Sequence, residues 1–275
     1  MENTVKTRLS GGGQGNLSSL TGIGAGIEPF RAAGNPFIKP GFTLAEVLIT
    51  LGIIGVVAAM TLPSLTAKYQ KKITAVQLKK SYSTILQAFT MAQKDYGDIS
   101  GWEFVPSQSV NGEDLSELRD SLNVFAHRYL IPYIKIVTDC GAGKTSSKKC
   151  FYNWYYHDGT VLTYAPNDNT YRFIVNNSTL VSLVYDNYQG NYGGRILLFI
   201  DINGFNKPNT FGKDIFVMGL TQSNSKFNMF GYEHKSRDTL MNHSGWGCAS
   251  SRNTYYCGAL IQQDGWEIKD DYPWF

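Results

Sequence analysis

From Phe42 to Leu62 the chain runs for 21 residues with a single ionisable side chain, Glu46. As an α-helix this run is roughly 30 Å long, the thickness of a bilayer core. A carboxylate in such a run is costly. Near a helix end the cost is below the roughly 2.5–3.5 kcal/mol of the bilayer centre, and a positive partner in the low dielectric offsets it. Cations precede the run, but it lies too far into the chain and is too long for an ordinary signal peptide, and no small-x-small cleavage site follows it. Lys68, Lys71, Lys72, Lys79 and Lys80 lie beyond it and outnumber the cations before it, so the distribution of charge alone does not fix its orientation.

Pro63 does not end the helical pattern. Leu65, Tyr69, Ile73 and Val76 step by four, four and three, and Leu78, Tyr82, Ile85, Phe89, Ala92 and Tyr96 continue at the same spacing, with the stripe shifting near Gln77. Gly97 is the expected stop. A proline inside a continuing helix predicts a kink. The whole element, Phe42 to Tyr96, would be roughly 80 Å long. Its first half fits lipid, and its second half needs a protein surface.

A shorter helix is expected from Asp114 to Tyr129, before Pro132. After Cys150 the pattern changes. FYNWYY (151–156), GTVLTYAP (159–166), YRFIV (171–175), LVSLVY (180–185), GRILLFID (194–201) and DIFVMG (214–219) are short aromatic and β-branched runs separated by turn residues. They predict an antiparallel sheet whose strand order is not readable. CGALIQQDGWEI (257–268) fits a short helix or a strand. The fold class is α+β, a long kinked N-terminal helix laid on an antiparallel sheet. Residues 1–38, with GGGQG and GIGAG, are expected to be disordered, and GIGAG lacks the strand–loop–helix setting of a nucleotide site.

The net charge of +3 falls to +1 once the first 41 residues are set aside, so the bulk of the chain carries no strong field for nucleic acid. Few charges and many aromatics suit a β-rich extracytoplasmic domain. The four cysteines allow three pairings. None has C-x-x-C spacing, and Cys140 with Cys150 and Cys248 with Cys257 are the natural disulfides of an exported domain.

KPGFTLAEVLITLGIIGVVAAMTLP (39–63) resembles the N-terminal segment of type IV pilins and type II secretion pseudopilins. The resemblance implies cleavage between Gly41 and Phe42 by a prepilin peptidase, leaving an N-methylated Phe42. Residues 1–41 are then a leader, longer than is usual for the family. Residues 42–96 are the long helix, with its transmembrane part at 42–62, and 97–275 form an extracytoplasmic α+β domain. Glu46, fifth in the mature chain, would neutralise the N-terminal amine of a neighbour. Pro63 stands twenty-second, where many members have a helix-breaking proline. The implied function is a structural subunit of a pseudopilus or pilus, in protein secretion or in pilus assembly and DNA uptake. The implied partners are the peptidase, other pilin or pseudopilin subunits, an inner-membrane assembly platform and the membrane, with no direct contact to nucleic acid. The implied location is the bacterial inner membrane, single-pass, with a cytoplasmic N-terminus. The alternative is a membrane-anchored binding module or enzyme that uses the segment only as an anchor.

One loop stands out beyond this segment. In DINGFNKPNTFGKD (201–214), Asp201, Asn203, Asn209 and Asp214 offer the hard oxygens that Ca2+ prefers. It opens like an EF-hand, but its twelfth position is Gly212. Some secretion pseudopilins bind calcium, so the resemblance makes calcium the one candidate cofactor. The competing reading is an Asx-rich turn that bonds to itself. CGAGKT (140–145) lacks the first glycine of a P-loop. His127, His157, His234 and His243 have no metal spacing, and GWGCASSR (245–252) has no nucleophile elbow, so no enzymatic activity is expected. Trp246, Tyr255, Tyr256, Trp266, Tyr272, Trp274 and Phe275 are expected to pack in the core and sheet, the alternative being a contact surface for a neighbouring subunit or a ligand.

Overall fold

A computed structural model describes residues 41–103, 116–143, 150, 152–162, 170–176, 178–186, 195–221, 226–233 and 235–275. The stretch expected to be disordered, 1–38, lies outside the described residues, as does His234. The chain divides into two units, one up to Gly52 and one from Ile53 onward.

Helix α1 is continuous over Leu44–Tyr96, with Pro63 inside it. It stops where Gly97 takes φ +79° and donates its N–H to Gln93 O, a left-handed cap that glycine adopts without strain. Within the second unit its buried stripe is Thr74, Ala75, Leu78, Ser81, Ile85, Ala88, Phe89 and Ala92. The first stripe read from the sequence packs only at the half-buried Ile73: Leu65, Tyr69 and Val76 are all more than half exposed. The difference has a physical cause. The buried stripe is built largely from Thr, Ala and Ser, small enough to let the helix approach the sheet, and a count of large apolar residues passes over them. Ser81 Oγ lies 3.1 Å from Thr179 Oγ1, and the Phe89 ring lies 4.7 Å from that of Phe227.

Helix α2, Ser116–Tyr129, buries Leu118, Leu122, Phe125, Ala126 and Tyr129 in the same core. The sheet follows as β1 Ile136–Ala142, β2 Thr170–Val175, β3 Leu180–Asp186, β4 Arg195–Asp201, β5 Ile215–Thr221 and β6 Lys226–Met229. Each strand pairs antiparallel with the next, in the order β1-β2-β3-β4-β5-β6. Two short helices close the chain, α3 Arg237–Asn242 and α4 Cys257–Gln263.

Alternate side chains of the strands go to opposite sides. Tyr171, Phe173, Leu183, Leu198, Ile200, Phe216 and Met218 join the core shared with the helices. Leu180, Leu197, Phe199, Ile215 and Val217 form a second core with Trp154, Leu162, Phe211, Cys140 and Cys150. A sheet covered on both faces needs apolar residues at every position, which is why the strands read as continuous apolar runs. The described residues of FYNWYY and GTVLTYAP, expected as strands, are part of that cover, through Tyr152, Trp154, Tyr156 and Leu162. Their described residues make isolated bridges, Tyr155 with Val161 and Tyr155 with Thr210, and no ladder. The cysteines pair locally, Cys140–Cys150 and Cys248–Cys257.

Candidate functional site

Two places carry the expected functional residues, and each lies within one unit. The first is the helix start. Phe42 is 89% exposed, and Thr43 precedes the first helical residue. The Thr43 hydroxyl accepts the Glu46 backbone N–H at 3.2 Å. Glu46 Oε2 accepts both the Thr43 backbone N–H and the Thr43 hydroxyl, each at 2.8 Å. This is a reciprocal capping box, in which two backbone donors that a helix start leaves unpaired are met by side chains. The Thr-x-x-Glu spacing before an apolar run was the available signal, and sequence reasoning missed it by seeking only a distant cation for Glu46. One oxygen of Glu46 therefore holds its own helix, and Oε1 is left open to a cation. Beyond it, the residues from Leu44 to Leu62 are exposed apart from the half-buried Ala58. The helix is long and apolar enough to cross a membrane, and lipid is the solvent in which such a surface is stable.

The second place is the loop after β4. The structure brings the four predicted residues together. Asp201 is fully buried, and it accepts the Tyr152 hydroxyl at 2.6 Å and the Asn203 N–H at 3.2 Å. Asp214 accepts the N–H groups of Asn209 and Thr210 at 2.7 and 2.6 Å and the Asn203 amide at 3.2 Å. Asn209 contributes its backbone, in the left-handed region at φ +53°. Burial, then the charge of Asp214, pushes the Asp201 carboxyl well above the usual range. Burial raises Asp214 to about 6. The arrangement is an Asx-rich turn that satisfies its own carboxylates. Among the described residues no group of three or more His, Cys, Asp or Glu gathers to hold a metal ion.

The raised values set a pH dependence. A carboxyl that is harder to ionise when folded keeps its proton in the native state and releases it on unfolding. Stability contributed by Asp214 is present below its unfolded value of about 3.8 and is lost as pH rises through about 6. Thermal melts of the full chain should therefore show the melting temperature rising as pH falls from 7 to 5. Asp214 alone contributes about 1.3 kcal/mol over that interval, of the roughly 3 kcal/mol reached below its unfolded value. The rise should shrink in Asp201→Asn, whose amide can donate to the Tyr152 oxygen and which removes one of the two charges. A flat wild-type profile would mean that the pair is not buried as described.

The remaining candidates do not converge. His157 stacks on Trp274 with ring centroids 3.3 Å apart, burial lowers it to about 4, and His243 stacks on Trp246. Tyr256 and Tyr272 are core residues, and Trp274 Nε1 donates to Cys248 O at 2.6 Å, so the aromatic tail packs as expected. The last two residues of the P-loop-like stretch, 144 and 145, lie outside the described residues.

Comparison with known proteins divides the chain at the end of the apolar run. Residues 39–62 match the prokaryotic N-terminal methylation motif, the prepilin-type signature of type IV pilins and pseudopilins, and residues 64–274 match a family of unknown function (DUF6613). No curated protein and no solved structure matches the chain.

Proposed function

We propose that this chain, which belongs to the family of unknown function DUF6613, is a pilin-like structural subunit of a pseudopilus or pilus-type filament. The observation that supports this best is the register of one segment. Gly41, Phe42 and Glu46 lie within the segment that matches the methylation motif, residues 39–62, and that segment runs into a 53-residue helix. In this reading prepilin peptidase cuts after Gly41, and the helix holds the chain in the inner membrane with its globular part outside. Assembly then moves the apolar helix from lipid into a bundle of like helices. Glu46 Oε1 meets the Phe42 amine of a neighbour while Oε2 keeps the Thr43 cap. The globular part contributes packing surface rather than chemistry.

The N-terminal sequence and intact mass of the protein extracted from membranes test this directly. The expected chain starts at N-methylated Phe42 and is four hydrogens lighter than its fully reduced form, one pair for each disulfide. An uncut chain, or a cut elsewhere, would leave Glu46 without its amine and return the anchored binding module as the better account. Calcium at Asp201, Asn203, Asn209 and Asp214 is a second reading, supported by the buried carboxylate pair and by Asn203 Oδ1, which is buried without a partner. The melts described above test it when repeated with millimolar calcium. A bound cation holds both carboxylates ionised, so stability would then rise with pH instead of falling.

A further inference from the structure

Beside the loop after β4 lies a cleft of about 410 Å³, bounded by the 70–77 stretch of α1, by that loop and by the last aromatic residues of the chain. Its volume is within the range of sites for small ligands. Thr74 is the most informative residue in it. A helical threonine commonly returns its hydroxyl to a carbonyl of the preceding turn, as Thr61, Thr66, Thr84 and Thr90 do. Thr74 is only 8% exposed and makes no such bond, so its hydroxyl is turned to the cleft that it lines. Gln70 and Gln77 stand about one turn to either side of it, and their side-chain amides have no partner among the described residues.

The other walls are set firmly. Trp274 is fixed by its stack on His157, with ring centroids 3.3 Å apart, and by its Nε1 bond to Cys248 O at 2.6 Å. Lys207 and Lys213 line the cleft from the loop, and among the described residues neither forms an ion pair. Asp214 is in the same wall, but its oxygens already accept the N–H groups of Asn209 and Thr210 and the Asn203 amide.

These groups define a ligand by their chemistry. A hydroxyl and two primary amides each donate and accept, which suits a molecule carrying several hydroxyls. A fixed indole suits the C–H face of a saturated ring. Two ammonium groups against one carboxylate leave one net positive charge, which matches a single carboxylate and falls short of a dianionic phosphate. Lipid headgroups do not reach the cleft. Their layer extends about 5–7 Å past the hydrocarbon, and Gln70 stands about 12 Å beyond Leu62, the end of the apolar run.

We propose that this cleft binds an acidic sugar, a pyranose ring with one carboxylate, as in a uronic acid unit of a polysaccharide. Lys207 and Lys213 take the carboxylate, Thr74 and the two glutamines take ring hydroxyls, and Trp274 takes the apolar face. The proposal goes beyond the filament reading and does not rest on it, since every group lies in the unit from Ile53 onward.

Calorimetric titration of the full-length chain in detergent with D-glucuronate tests this, with D-glucose as the neutral ring and acetate as the bare carboxylate. The expected result is saturable binding of glucuronate, about tenfold tighter than either control. Lys207→Gln together with Lys213→Gln should bring glucuronate down to the level of glucose. Thr74→Val keeps the shape and removes the hydroxyl. It should weaken glucuronate about two- to tenfold without lowering the melting temperature, and leave acetate unchanged. No saturable binding of glucuronate, equal binding of glucose or of acetate, or full-strength binding by either variant would overturn the proposal. A mature N-terminus other than Phe42 would overturn the filament reading instead and leave this titration standing.

Discussion

Glu46→Ala should abolish entry into filaments while leaving insertion in the membrane intact. The expected effect is large because of where the charge ends. In the single subunit the carboxylate sits at the rim of the apolar run, where Oε2 is met by the Thr43 N–H and hydroxyl. In a helical bundle it would lie among apolar neighbours beside the Phe42 amine. Removing one partner of a buried ion pair costs about 3–5 kcal/mol, because the other charge is left uncompensated. That is more than two orders of magnitude in the incorporation equilibrium. The loss of the cap adds about 1 kcal/mol at the helix start, which a bilayer-embedded helix absorbs. The two contributions separate by experiment. Glu46→Gln keeps an acceptor for the Thr43 N–H but carries no charge. It should insert normally and still fail to assemble. If Glu46→Gln assembles like the wild type, Glu46 is only a cap, and the anchored-module reading gains.

The parts of this molecule that follow one element's own periodicity were legible in its sequence. The anchor, α1, α2 and strands β2 to β5 are runs whose spacing or β-branched content stands alone. The edges of the sheet were not. β1 carries Asp139 and Gly141, has two register irregularities and is half exposed, so neither alternation nor apolar continuity marks it. β6 is four residues long. The aromatic runs at 151–166 failed in the opposite sense, because aromatic residues that cover a sheet look like aromatic residues within one. The loop after β4 was legible as an oxygen-rich turn. Its closure was not, since the Asp201 carboxylate is held by Tyr152, far away in the chain.

Gly204→Ala should be among the most damaging single substitutions in the globular part, because two penalties coincide there. Gly204 has φ +62°, which costs an L side chain about 1 kcal/mol. A Cβ at this position would stand 2.4 Å from the backbone oxygen of Ser178 in the β2–β3 turn, and neither partner is a flexible chain end that can swing aside. The Ser178 turn is itself tied down: Ser178 N–H donates to Val175 O, and Val175 N–H donates to Thr179 O. Relief therefore has to move the loop that carries Asp201 and Asp214, whose five hydrogen bonds depend on its present path. The expected loss is about 3 kcal/mol or more, near 10 °C in melting temperature for a domain of this size. Gly159→Ala is the control, since Gly159 has φ +80° with nothing within 4 Å of the added methyl. It should lose only the conformational part, about 1 kcal/mol. Equal melting temperatures for the two variants would mean that the Ser178 contact is absent and the loop is free to shift. Because the cleavage segment belongs to the other unit, both variants should still be cut after Gly41 and reach the membrane. A Gly204→Ala chain that is processed but fails to assemble would then show that the globular part, and not the anchor alone, is needed in the filament.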